Sequence, residues 1–131
     1  MGNRAVLELE QSGLGIYMHW NGGRDSIEPL LHVAKEYKIQ SKGKYFLLSS
    51  LCKMIANSFT STYSPPVEAN PIDTLDCDNF DNGVYVINSN LDIVDRKFTR
   101  YSEQNEHDFK GMVEYIKEKN DEFFITNNSK D

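Results

Sequence analysis

The chain has 131 residues, 39% of them hydrophobic and 26% charged, with a formal net charge of −6. That is enough chain for one hydrophobic core and too little for two, and seven Phe, seven Tyr and one Trp are too many core-forming rings for a disordered segment. No apolar run approaches the roughly 20 residues of a membrane-spanning helix, so no membrane partner is expected, and the negative charge opposes stable binding to a nucleic-acid polymer. A single domain over 1–126 with a disordered tail over 127–131 follows, and the non-apolar start Met1 to Val6 points to a cytoplasmic protein.

Ala5 to Leu9 and Ile16 to Trp20 are short apolar or alternating runs separated by Gln11-Ser12-Gly13-Leu14-Gly15, which predicts an N-terminal β-hairpin. In its second strand Ile16, Met18 and Trp20 share one face, the better core candidate. Asp25 then reads as an N-cap with Glu28 three residues on, and Ile27, Leu30, Leu31 and Ala34 recur at helical spacing, predicting a helix that ends near Lys38. Leu48, Leu51, Cys52, Ile55 and Phe59 predict a second helix over about 45–59. The stretch from Thr60 to Asn79, rich in Pro, Ser, Thr and Asp, reads as a long irregular connection.

Gly83 to Ile87 and Leu91 to Val94 flank the turn residues Asn88-Ser89-Asn90, a second hairpin. Phe109, Met112, Val113 and Ile116 mark a third helix capped by Asn105 or Asp108, and Phe123-Phe124-Ile125 offers a last edge strand or a packed tail. The expected fold is therefore α+β, an antiparallel sheet built from two hairpins and packed with three helices, in the order β-β-α-α-β-β-α. Cys52 and Cys77 form no metal or redox spacing and read as one buried and one loop thiol.

Charge is uneven: residues 1–60 hold 7 Lys+Arg against 5 Asp+Glu, and residues 61–131 hold 7 against 15. A solvated acidic face explains this, as does a surface that mimics nucleic acid or contacts a basic protein. The segment Asn21-Gly22-Gly23-Arg24 joins a strand to a helix, where convergent N–H groups favour an anion. The simpler reading is a tight turn. Phe80 and Asn82, at the entrance to the second hairpin, could hold a nucleobase, or serve as core and turn. Arg96, Lys97 and Arg100 could clamp phosphate, or balance Asp92 and Asp95. His19, His32 and His107 fit no catalytic or metal motif, so no catalytic residue, metal or cofactor is expected.

The strings Ile16-Tyr17-Met18-His19-Trp20-Asn21-Gly22-Gly23-Arg24-Asp25-Ser26 and Asp81-Asn82-Gly83-Val84-Tyr85-Val86-Ile87 resemble motifs of small phage proteins. Among these, the chain resembles the phage anti-Thoeris proteins that sequester a cyclic ADP-ribose immune signal. The resemblance implies a non-catalytic sponge in the cytoplasm of a bacterial host. It would bind glycosylated cyclic ADP-ribose, possess additional capacity for small cyclic oligonucleotides, and assemble as a dimer or higher oligomer. It implies Phe80 as the stacking residue, Asn82 and Asn90 as polar readers, Arg96 or Arg100 on the phosphates, and Asn21 to Arg24 as a second anion site or subunit contact. The alternative is an acidic inhibitor, anti-CRISPR-like or a nucleic-acid mimic, that binds a host defence protein.

Overall fold

The computed structural model describes residues 3–60, 66–99 and 108–128, with side chains to Phe124. Strands β1 (Ala5–Leu9) and β2 (Leu14–Met18) form the expected first hairpin, and β4 (Val84–Ile87) and β5 (Ile93–Lys97) the second. Helices α1 (Arg24–Glu36) and α2 (Lys44–Phe59) follow the first hairpin, and α3 (Phe109–Asn128) follows the second. Short 3-10 turns at Ile39–Lys42 and Ile72–Thr74 complete the order. The fold is α+β, as the periodicities imply.

The sheet is mixed rather than purely antiparallel. Its strands lie in the order β3 (Ala69–Pro71), β2, β1, β4, β5, and β1 runs parallel to β4, with Val6 opposite Val84 and Leu9 opposite Ile87. A parallel pair needs a long crossover between its strands, and the two helices between the hairpins supply it. The element order also gains a strand, β3 (Ala69–Pro71), antiparallel to β2, inside the stretch expected to be irregular. Three residues without apolar alternation give no strand signal, and Pro71 is tolerated because the strand lies at the sheet edge.

All three helices cover one face. Leu7, Ile16, Tyr85 and Ile87 of the sheet are buried with Ile27, Leu30, Leu51, Ile55 and Ile116 of the helices in one core, each large apolar side chain contributing about 1.5–3 kcal/mol by leaving water. The other face carries a small second core of Val6, Val84 and Val86, covered by Ile72, Leu75 and Cys77. Cys52 is buried and Cys77 half-buried, and burial pushes the Cys52 thiol up to about 11, which keeps it protonated and unreactive at neutral pH.

Three local expectations are corrected. Trp20 is 44% exposed, because β2 ends at Met18 and alternation ends with it. The N-cap of α1 is Gly23, without a side-chain cap, and Asp25 lies within the first turn. Phe123 and Phe124 belong to α3, not to a strand; Phe124 stacks on Tyr37 at 4.8 Å, so its burial is against α1. Asp108 caps α3 by accepting from the Gly111 N–H at 2.9 Å, while Asn105 and His107 lie outside the described residues, as does 129–131 of the expected tail.

Candidate functional site

The two motif strings meet at one end of the sheet. Beyond β2 the chain passes His19 and Trp20, takes a left-handed turn at Asn21 (φ 59°), and presses Gly22 onto the start of β1. The Gly22 N–H donates to the Asn3 carbonyl at 2.8 Å, and a Cβ at Gly22 would lie 2.6 Å from that oxygen and 2.7 Å from the Ala5 Cβ. Only glycine fits that approach. Gly23 then opens α1, its carbonyl accepting from the Ser26 and Ile27 N–H groups at 3.0 Å.

Tyr85 joins this turn to the second string. Its ring is fully buried in β4, and a buried phenol needs a partner; its hydroxyl donates to the Gly22 carbonyl at 2.8 Å. The Arg96 guanidinium, opposite Tyr85 in the β4–β5 ladder, covers that ring at 3.7 Å and donates to the Asn82 carbonyl at 2.6 Å. The Asn82 amide donates to the Asn3 side chain at 2.6 Å and to the Arg4 carbonyl at 2.9 Å. Gly83 adopts φ +66°, and a Cβ there would fall 2.1 Å from the Lys97 carbonyl oxygen.

Of the expected site residues, Asn21, Gly22, Gly23, Arg24, Phe80, Asn82 and Arg96 gather around this end. Phe80 is 59% exposed, in a left-handed conformation, beside Asp81. Arg24 pairs with Glu28 at 2.7 Å along α1. Asn90 stands apart, in the turn between β4 and β5 at the opposite end of the hairpin, where its N–H donates to the Asn88 side chain. Arg100 lies outside the described residues.

Sequence reasoning missed three residues that hold this end together. Arg4 donates to Asp81 at 2.7 Å and approaches Asp76 at 3.7 Å, and the Arg4 hydrogen bond holds the Asp81 carboxyl below its ordinary range. Asn79 is buried; its side-chain oxygen accepts from the Asp81 and Gly83 N–H groups at 3.0 Å. Tyr85 is the third. Only Tyr85 carried a signal, a tyrosine in an otherwise aliphatic strand, which implies a buried hydroxyl with a partner.

On the outer side, Tyr17 and His19 share a 2.9 Å hydrogen bond, and His19 meets Trp20 edge-on at 4.7 Å. They line a slot of about 40 Å³ with Phe59 and Pro66. Tyr17 and Pro66 also border a recess of about 310 Å³ whose other walls include Glu68, Asn70 and Asp76. The carboxylates make that recess unfavourable for phosphate; the start of α1 carries Asp25 in its first turn and Arg24 already paired with Glu28, so the features there that favour an anion are the helix N-terminus, which lacks a side-chain cap, and Arg96. Among the described residues no group of three or more His, Cys, Asp or Glu is placed to hold a metal ion. The chain matches no protein-family model, no curated protein and no solved structure with which it was compared.

Proposed function

We propose that this protein binds a cyclic nucleotide signal and sequesters it without cleaving it. The ligand class is glycosylated cyclic ADP-ribose, with small cyclic oligonucleotides as further ligands, and the site is the sheet end where the two strings meet. The observation that carries the reading is the contact between them: the buried Tyr85 hydroxyl bonded to the Gly22 carbonyl at 2.8 Å, across 63 residues of sequence. The strings behind the family resemblance thus form one structural unit.

In this reading Phe80 offers an exposed ring for the base, the start of α1 and Arg24 meet the phosphates, and Arg96 presents the edge of a guanidinium anchored on Tyr85. Asn82 orders the strand starts around the ligand. The protein acts in the cytoplasm of a bacterial host as a homodimer or higher oligomer. Asn90 would enter the site only from a second subunit, since its own chain places it at the far end of the hairpin.

A second reading has its own observation. Glu68, Asp73, Asp76 and Asp78 are all exposed within eleven residues on the outer side of the molecule, a strip suited to a basic protein surface. A thermal-shift panel of cyclic dinucleotides and cyclic ADP-ribose isomers separates the two. Stabilisation by a cyclic ADP-ribose isomer, weakened in Phe80→Ala and Arg24→Ala, supports the sponge. A flat response across the panel, with salt-sensitive capture of a basic host protein, supports the inhibitor.

A further inference from the structure

The corner between α1 and α2 has a character unlike the rest of the molecule. Between Glu36 and Glu68 the sequence holds no Asp or Glu, although the chain has 20 of them, and it holds Lys38, Lys42, Lys44 and Lys53. Among the described residues none of these four lysines is in an ion pair, whereas Arg4, Arg24, Lys35, Lys97 and Lys117 all are. Six consecutive residues, Ser41 to Phe46, are exposed, so this corner projects. Tyr45 is 70% and Phe46 40% exposed, with the Lys42 ammonium 5.1 Å from the Phe46 ring and the Lys44 ammonium 5.2 Å from the Tyr45 ring.

Along α2 the exposed positions continue as Ser49, Lys53 and Ala56, a face without a carboxylate. Lys53 lies 4.7 Å from the Phe123 ring of α3, itself 41% exposed, which extends the same pairing of cation and aromatic. The amino-terminal end of α2 adds its positive dipole end to Lys42 and Lys44. Nothing acidic in the first turn offsets it.

We propose that this corner docks the protein on an anionic membrane surface. Rings with adjacent ammonium groups suit the headgroup layer, where the ring enters the interface and the lysine stays with lipid phosphate and carboxylate. Charge complementarity supports it: between Glu36 and Glu68 the chain brings four lysines and no carboxylate to a surface whose lipids are anionic, and repulsion from acidic groups elsewhere is screened beyond about 8 Å at physiological salt. The expectation of no membrane partner rested on the absence of a spanning apolar run, which does not describe a local face. A single-stranded nucleic acid fits less well, because a projecting corner is not the groove that tracks a phosphate backbone and the patch has no arginine fork.

The test is co-sedimentation of the full chain with phosphatidylcholine vesicles, with and without phosphatidylserine, alongside a single-stranded oligonucleotide. Binding should require phosphatidylserine, weaken as salt rises, and fall at least about tenfold in Lys42→Glu/Lys44→Glu, since each lysine near the surface contributes about fivefold. A Tyr45→Trp variant should show blue-shifted emission on the same vesicles. Because these positions are exposed, unchanged melting of the variants separates loss of docking from loss of fold. Absence of binding to phosphatidylserine vesicles, binding indifferent to the double charge reversal, or retention by the oligonucleotide and not by vesicles would each overturn the proposal.

Discussion

Gly22 and Gly83 stand where a methyl group has no room, each pressed against backbone at the start of β1 or the end of β5. Gly22→Ala should cost about 1–3 kcal/mol through overpacking, and Gly83→Ala more, because a left-handed backbone adds its own strain; urea denaturation measures both. Removing the buried Tyr85 hydroxyl in Tyr85→Phe leaves the Gly22 carbonyl without its partner and should cost about 1–3 kcal/mol. The Arg4–Asp81 pair predicts a pH effect of definite sign. Asp81 is depressed from 3.8 in the folded state, so its contribution is complete above that ordinary value and is lost as pH falls from there through the depressed one. Asp81→Asn should flatten that part of the acid-denaturation profile; an unchanged profile would remove Asp81 from the account. How much of the site was legible follows from the same residues. The glycine turn announced itself through Asn-Gly-Gly chemistry, but Arg4 and Asn79 act through contacts that span 77 residues or bind backbone groups locally, and neither has a motif.

Among the elements, the hairpins and the first two helices were readable because each buries one face and so writes a period of two or of about 3.6 into the sequence. β3 wrote no such period, being three residues at an edge. The parallel β1–β4 contact was hidden because β1 and β4 are both short apolar runs whose neighbour is chosen by the crossover, not by either strand alone. The third helix was found at its start and misread at its end, since Phe123 and Phe124 look like strand residues until Tyr37 is placed beside them. Its register on α2 is fixed by a buried amide: Asn120 donates to the Ser58 hydroxyl at 2.9 Å and accepts from the Asn57 amide at 3.0 Å. Asn120→Ala should therefore cost about 1–3 kcal/mol and loosen α3 first, seen as faster amide exchange in α3 than in the sheet. Uniform exchange across all elements would contradict that order.

On the scale of the whole molecule, net charge concealed a separation into a lysine-bearing segment, 37–67, that holds no Asp or Glu and an acidic outer strip. The nucleotide site is proposed at neither, but at the sheet end beside the start of α1, where the helix N-terminus and Arg96 supply local positive charge inside an acidic protein. In the proposed function that site holds a small anionic ligand through fixed groups and releases it unchanged. The direct measurement is incubation of the purified protein with glycosylated cyclic ADP-ribose, removal of free ligand, denaturation, and mass analysis of what is released. The account predicts retention of the ligand and its recovery intact. Recovery of a cleaved product, or no retention at all, would contradict it.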